Sequence, residues 1–395
     1  MKWELCYQFQ EVAVWKKFSL KGKGFMHILF AGGGTAGHVN PALAIASTIK
    51  EKHPDAKISY IGTEKGIESR LVRAQGYDFY TIEVSGFQRS FSFNAIKSNV
   101  SAVKKAFTSS KKAKELLIKL KPDVVVGTGG YVSGPVLREA AKLGIKTAIH
   151  EQNAFPGVTT KMLSSSVDKV MLAMPAALDH LKLKKAPEIT GNPVRSNLIS
   201  TGKQEAKKQL KMDSRPVILS FGGSLGAKYI NAAVCDLIKW HNGSGKFYHI
   251  HATGKSGYGE TLQNLSDITL SKEVDVREYI DDMQLCMAAA DLVICRAGAI
   301  TLSELQICGK PSILIPSPYV SENHQFHNAM VLKNAGAAEI IEEKDLSGEK
   351  LIEVVSGLIE NKHRLETMAV KAKKSAIDDA NARIYKIIMD LYTAQ

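Results

Sequence analysis

The sequence predicts an α/β protein made of two Rossmann-like, doubly wound domains that face a cleft. Short apolar runs of strand type recur along the chain, helix-like segments separate them, and the first run of each half ends in a glycine cluster. Apolar runs of about 4–8 residues bounded by turn signals mark strands buried on both faces, as in a parallel sheet covered by helices.

The elements follow in order. Residues 1–25 mix Trp3, Trp15 and several lysines without clear periodicity, and no small-residue cleavage site follows them. They read as an N-terminal extension, either a loosely ordered arm or a stretch ahead of the true start at Met26, rather than as a signal peptide. Residues 27–31 form the first strand, Gly32–Gly34 breaks it, and a helix follows over about 41–50. Strand-type runs at 58–61, 124–126 and 147–149 continue the first half. After Gly191-Asn-Pro-Val-Arg195 the plan repeats, with a strand at 216–221, a loop at Gly222–Gly226, a helix from Ala227, and strands at 247–250, 292–295 and 313–315. Residues 380–391 form an amphipathic helix that either half could claim.

The 395 residues suffice for two domains with cores of ordinary size. No apolar run reaches the roughly 20 residues that span a bilayer. The five cysteines, Cys6, Cys235, Cys286, Cys295 and Cys308, show no zinc or redox spacing and read as reduced thiols. The net charge of +13 points to an anionic partner: nucleic acid, anionic lipid or a phosphorylated substrate.

Gly32-Gly33-Gly34-Thr35-Ala36-Gly37-His38 fits G-x-G-x-x-G through Gly32, Gly34 and Gly37. Such a loop brings an anion, often a phosphate, to a helix N-terminus. A dehydrogenase also needs an acid at the end of the second strand, and Glu64 lies too far on, past Gly62. Gly222-Gly-Ser224-Leu-Gly226-Ala227 has the same physics, with backbone N–H groups and a hydroxyl facing an anion. Two such loops in two halves predict an anionic ligand on each side. In Arg296-Ala-Gly298-Ala-Ile-Thr301-Leu-Ser-Glu304 a helix is expected to begin near Thr301, with Glu304 in its first turn. Glu304 is then either the acid of a capping box with Thr301 or a carboxylate that accepts both hydroxyls of a ribose.

The strings GGGTAGHVNPALA, GTGGYVSGP, HEQNAFPG, GNPVR, GGSLGA, YIDDM, CRAGAITLSE and ENHQFHNA occur in this order. Together they resemble the MurG family of glycosyltransferases, from Met26 to near the C-terminus. The resemblance implies the GT-B type of fold: an acceptor-binding, membrane-associating domain over 26–195, a UDP-GlcNAc-binding domain over 196–378, and a C-terminal helix over 379–395 that packs back on the first. It implies transfer of N-acetylglucosamine from UDP-GlcNAc to the muramoyl sugar of lipid I, at the cytoplasmic face of the inner membrane, without a cofactor or a metal. The donor would be held by Ser224 at its phosphates, by backbone at Ile280 on the uracil, by Ala299, Ile300 and Thr301 along the sugar-phosphate, and by Glu304 on the ribose. Gln325 would contact the donor sugar, with Asn153, Arg195 and Thr35, Ala36 and Gly37 as further contacts. Gly33, Gly34, His38 and Tyr131 would hold the acceptor and its diphosphate. The sequence departs from the family pattern in an additional glycine in the first loop, in Ala36 where glycine is frequent, and in His324 where some members carry glutamine.

A glycosyl transfer to a hydroxyl needs a base, and histidine suits it, with an ordinary pKa near 6.5. His38 stands at a helix start, whose positive end favours the ring that can accept a proton. Glu151 and Asn153 are its rivals, and asparagine cannot act as a base. His249 and His251 share one strand face and form a conceivable metal pair, while Asp281-Asp282 reads as a helix cap. Ile96, Val100, Val103 and Phe107 follow one helical face among Lys97, Lys104, Lys105, Lys111, Lys112 and Lys114. Such a face packs on the core or rests on anionic lipid. The alternatives are a UDP-GlcNAc epimerase of the same architecture and a basic nucleic-acid binder. The second needs aromatic platforms that a 7% aromatic content does not supply, so no nucleic acid is expected as a partner.

Overall fold

The structure, a computed structural model, describes residues 25–84, 108–194 and 200–394. The chain divides into two compact units. The first takes residues up to Gln152, Pro156–Pro193 and Asp379 onward; the second takes Asn153–Phe155 and Val194–Asp378.

The first unit holds a seven-stranded sheet: β1 (His27–Ala31), β2 (Lys57–Gly62), β3 (Asp78–Thr81), β4 (Val124–Gly127), β5 (Lys146–Glu151), β6 (Lys169–Leu172) and β7 (Glu188–Ile189). Its order is β3-β2-β1-β4-β5-β6-β7, and every pairing is parallel. The second unit holds β8 (Val217–Phe221), β9 (Tyr248–Ala252), β10 (Val274–Arg277), β11 (Leu292–Cys295), β12 (Ser312–Leu314) and β13 (Ala338–Ile340). Its order is β10-β9-β8-β11-β12-β13, again all parallel. Both sheets are doubly wound, since each chain runs outward from its first strand and then restarts on the other side. The switch points lie between β1 and β4 and between β8 and β11. Ligands of open α/β sheets bind beyond the carboxyl ends of the strands at such points.

The strands form because their residues are apolar on both faces: every residue of β1 is buried, and Ile28, Leu29, Phe30 and Ala31 are fully so. His27 is the polar exception, and its ring is satisfied by Ser59 Oγ at 2.8 Å and the Leu120 carbonyl at 3.1 Å. Helix α1 (Ala36–Lys52) begins five residues before the sequence suggests, with Pro41 inside it. Helix α2 (Gly130–Lys142) follows β4, and helix α3 (Lys228–His241) covers the second sheet. The final helix, residues 380–393, presents Ile384, Ile387, Ile388 and Leu391 to the core built around Ile45, Ala46 and Ile49 of α1. Burying each of those side chains contributes about 1.5–3 kcal/mol. His53 Nε2 meets the Tyr385 hydroxyl at 2.7 Å at the same contact.

Of the basic stretch around 91–114, residues 91–107 lie outside the described residues. The helical residues 108–120 bury Ala113, Leu116 and Leu117 and expose Lys111 and Lys112.

Candidate active site

In the first unit the loop after β1 meets the turn after β4 at the switch point. Gly130 has φ +77°, and a Cβ there would stand 2.2 Å from the Gly33 carbonyl oxygen. Gly129 has φ +106°, and its Cβ would stand 2.6 Å from His38 Cδ2. Only glycine allows this approach of backbone to backbone and of ring to backbone. Ser133 ties the two strand ends together: its hydroxyl lies 2.7 Å from the Ala31 carbonyl and accepts from Gly129 N–H at 3.1 Å.

Glu68 organises the other side of this loop. It is fully buried and accepts from Gly34 N–H at 3.2 Å, Thr63 N–H at 3.0 Å and the Thr63 hydroxyl at 2.7 Å. Sequence reasoning weighed Glu64, which lies on the surface paired with Arg73 at 3.1 Å, and missed Glu68 four residues on. The legible signal was an acid in the first turn of the helix Ile67–Ala74, directly after the loop it braces.

His38 sits in the first turn of α1. Its Nδ1 lies 3.0 Å from the Gly33 carbonyl and 3.3 Å from Thr35 Oγ1. A carbonyl oxygen only accepts, so Nδ1 carries a hydrogen, and in the neutral ring Nε2 is the nitrogen with the lone pair. Thr35 is the N-cap of α1 but makes no side-chain cap bond, and the first turn holds no acid. The helix start therefore presents its N–H groups and positive dipole end to any anion that arrives. Gly33, Gly34, Thr35, Ala36, Gly37 and His38 thus come together, and Gly130 places Tyr131, 60% exposed, beside them. The rival base Glu151 is buried, and its Oε2 accepts from Gly157 N–H at 3.0 Å and the Thr160 hydroxyl at 2.6 Å. That holds the start of the helix Val158–Leu163, a structural task.

The second unit repeats the close approach with side-chain bonds of its own: the Ser256 hydroxyl donates to the Leu225 carbonyl, and Asn231 Nδ2 donates to the Thr253 carbonyl at 2.9 Å. Gly226 (φ +88°) and Gly254 (φ +74°) lie face to face, and a Cβ on Gly254 would stand 2.1 Å from Gly226 N. Gly226 N–H donates to the Gly223 carbonyl at 2.9 Å, and Ser224 is exposed at the tip. Across the switch point, Cys295 ends β11 and helix α4 (Ala299–Cys308) begins. Asn328, fully buried, donates to the Ala297 carbonyl at 3.3 Å and to Asn153 Oδ1 at 3.1 Å, and accepts from Ala154 N–H at 2.8 Å. It brings Asn153 to the segment that starts α4, where Ala299, Ile300 and Thr301 lie. Arg296 is anchored on the Ile315 carbonyl at 3.1 Å and on Glu343. Gln325 Oε1 accepts from Ser317 N–H at 2.9 Å, at the start of helix α5 (His324–Asn334). Glu322 and Asn323, just before α5, hold φ of +54° and +50°. Non-glycine residues in that region cost of order 1–3 kcal/mol each and cluster at functional sites. Ile280 follows β10, the edge strand, two places from β8.

Two expectations are corrected. Glu304 is the sixth residue of α4, because Gly298 is the N-cap and the helix starts at Ala299; the capping box with Thr301 does not form. Asp282 occupies an N-cap position without capping, since its Oδ1 accepts from Arg277 Nη1 at 2.8 Å. His249 and His251 do share a face, but Ser220 Oγ bridges them at 2.8 Å to each. No group of three metal-ligating side chains occurs among the described residues. Arg195 lies outside the described residues.

Two doubly wound units of parallel strands, each with a glycine loop at its switch point, give the fold of the GT-B class of nucleotide-sugar glycosyltransferases. Residues 28–172 match the glycosyltransferase family 28 N-terminal domain and residues 217–384 its C-terminal domain. A relative from Acetivibrio thermocellus, named UDP-N-acetylglucosamine--N-acetylmuramyl-(pentapeptide) pyrophosphoryl-undecaprenol N-acetylglucosamine transferase, is 46% identical over 93% of this chain and 98% of its own length. A relative of the same name from Clostridioides difficile is 43% identical over 93% and 90%. The crystal structure of Acinetobacter baumannii MurG superposes with a TM-score of 0.76 at 30% identity, covering 92% of this chain and 99% of that one. A UDP-GlcNAc 2-epimerase from Neisseria meningitidis shares the fold alone, at a TM-score of 0.60 and 15% identity. The chain belongs to the MurG family and is an N-acetylglucosaminyltransferase of peptidoglycan precursor synthesis.

Proposed function

We propose that this chain divides the transfer of N-acetylglucosamine, from UDP-GlcNAc to the muramoyl sugar of undecaprenyl-diphospho-muramoyl-pentapeptide, between its two units. The second unit binds the donor through Ser224, Ile280, Ala299–Thr301, Glu304, Gln325 and Asn153, with Arg195 and Thr35–Gly37 as further contacts. The first unit binds the acceptor diphosphate at Gly33, Gly34 and the start of α1, beside Tyr131. His38 Nε2 takes the proton of the acceptor hydroxyl as its oxygen attacks the anomeric carbon. The carbon–phosphate oxygen bond breaks, its electron pair leaves with UDP, and the configuration inverts to a β-linkage.

The observation that carries this reading is the bond from His38 Nδ1 to the Gly33 carbonyl, which leaves Nε2 as the basic nitrogen in the acceptor loop itself. A transfer assay with UDP-GlcNAc and a lipid I analogue tests it. His38→Ala should cut turnover by roughly 10²–10⁴-fold with UDP affinity unchanged. Near-normal turnover at saturating acceptor would remove His38 as the base, and loss of acceptor affinity alone would reassign it to the diphosphate.

The same reading puts the first unit on an anionic membrane, at the cytoplasmic face. No helix among the described residues is long and apolar enough to cross a bilayer. Lys104, Lys105, Lys111 and Lys112 supply the attraction, about 1 kcal/mol each near such a surface. Reversing all four to glutamate should release the protein from anionic vesicles, and unchanged sedimentation would retire the patch as the anchor.

A further inference from the structure

The first unit exposes three large apolar side chains beside the acceptor turn: Tyr131 at 60%, Val158 at 50% and Met162 at 59%. Val158 and Met162 are four residues apart on the helix Val158–Leu163, so they share a face about 6 Å long. That helix is tied to the turn after β4, where the Thr159 hydroxyl donates to the Gly130 carbonyl at 3.2 Å. It also lies close against α2: a Cβ on Gly134 would stand 3.9 Å from Thr159 Cγ2, and Tyr131 is three residues, one helical turn, before Gly134. Scattered apolar residues on a surface need no explanation. These three stand on two helices that meet at Gly130 and Gly134, which brings their exposed apolar atoms into one neighbourhood.

We propose that Tyr131, Val158 and Met162 seat the first isoprene units of the acceptor's polyprenyl chain. The inference rests on the proposed acceptor reading, which places the diphosphate at Gly33–His38 opposite Gly130. The chain is esterified to that diphosphate, so its first carbons must leave over the residues that border the turn. In water those carbons would be solvated at a cost, and the exposed side chains offer them an apolar face within reach. The seat recognises the chain itself, a role different from the attraction to anionic lipid proposed for the lysines.

The test uses the full chain with Val158→Ser and Met162→Ser combined. Both side chains are substantially exposed, and unchanged turnover of an acceptor analogue that lacks the polyprenyl chain reports an intact first unit. The KM for the undecaprenyl acceptor, presented in detergent, should rise roughly tenfold with kcat kept. The KM for an analogue carrying a methyl group in place of the polyprenyl chain should not change. An equal rise for both acceptors assigns the patch to the diphosphate or the sugar and overturns the proposal, as does no rise for either. Loss of binding to phosphatidylglycerol vesicles without acceptor makes it a general bilayer contact and also overturns it. A wild-type chain that turns over neither acceptor sinks the transfer reading itself, and this seat with it.

Discussion

In the first unit the glycine loop after β1 is braced by side chains: Glu68 from beneath, Ser133 from α2 and the His38 ring on the Gly33 carbonyl. In the second unit the loop after β8 is held by two backbone bonds, Gly226 N–H on the Gly223 carbonyl and Lys255 N–H on the Ser224 carbonyl at 3.4 Å, and by the Ser256 hydroxyl on the Leu225 carbonyl. The two loops share a topological position and a glycine-on-glycine contact. They differ in what is held still. The first fixes the ring of His38, the proposed base. The second leaves Gly223, Ser224 and Leu225 exposed, presenting N–H groups and a hydroxyl to an anion that the ligand itself brings. On the proposed function, one plan, used twice, serves chemistry in one unit and binding in the other.

The largest effect that separates them comes from adding a methyl group to each contact. Gly130→Ala puts a carbon 2.2 Å from the Gly33 carbonyl oxygen, and Gly254→Ala one 2.1 Å from Gly226 N, both at positive φ. Each position costs about 1–2 kcal/mol in conformation alone, and the loops must also shift. A displacement near 1 Å at a reacting group is worth roughly hundredfold in rate. Gly130→Ala should therefore lower kcat/KM for the acceptor roughly hundredfold while UDP binding by calorimetry stays intact. Gly254→Ala should do the reverse and weaken UDP. If both variants lose both properties together, the division of labour between the loops is wrong.

A smaller effect sharpens the same contrast through two carboxylates. Glu68→Gln keeps one accepting oxygen and turns the other into an NH2 donor, so either Gly34 N–H or the Thr63 donors lose their acceptor, a change confined to the first unit. Glu304→Ala removes the proposed ribose acceptor from the middle of α4. Losing a hydrogen bond to a charged group costs about 1.5–3 kcal/mol, so UDP affinity should fall roughly tenfold or more in Glu304→Ala. In Glu68→Gln, kcat should fall with UDP affinity unchanged. Unchanged UDP binding by Glu304→Ala would leave that residue no part in the donor site, since the alternative of a capping box is already excluded by where the helix begins.

Much of this was legible in the residues. Strand positions came through because parallel strands are apolar on both faces, and β11 runs over the expected 292–295. The loops were legible because glycine is the residue that tolerates both positive φ and backbone contact. What was hidden depends on tertiary reach. Glu68 and Asn328 look like ordinary helix residues until the fold turns their side chains onto a loop. The start of α4 was misread because Ala299 and Ile300 carry no boundary signal, which moved Glu304 by almost a turn. Asp282 was misread because Arg277, five residues upstream, competes for the carboxylate that would otherwise cap the helix.

The smallest effect at neutral pH, and the one most confined to the second unit, concerns its buried histidines. His251 Nδ1 lies 3.3 Å from the Ser220 carbonyl, so that nitrogen carries a hydrogen, which it also directs at Ser220 Oγ. Ser220 then donates to His249 Nε2 at 2.8 Å, and His249 Nδ1 donates to His241 Nε2 at 3.1 Å. The chain has one direction, and every ring in it is neutral. Burial holds His241 and His251 down at about 4 and pushes His249 well below its ordinary value, with the neighbouring histidines adding to the effect on His249. Below pH 6.5 the unfolded chain takes up protons that these folded rings refuse, His241 and His251 until about pH 4. Their contribution to stability is therefore complete above pH 6.5 and is lost as the pH falls toward 4, at up to about 1.4 kcal/mol per pH unit for each ring. The first unit has buried His27 and His150 shifted in the same direction, so both units weaken in acid, but only the second holds a linked chain. Urea unfolding at pH 7 and pH 5 measures this. His249→Gln should be less stable at pH 7, because buried hydrogen bonds are lost, and should lose less on going to pH 5 than the wild type does. An equal loss in both proteins would place the acid sensitivity outside this chain of rings.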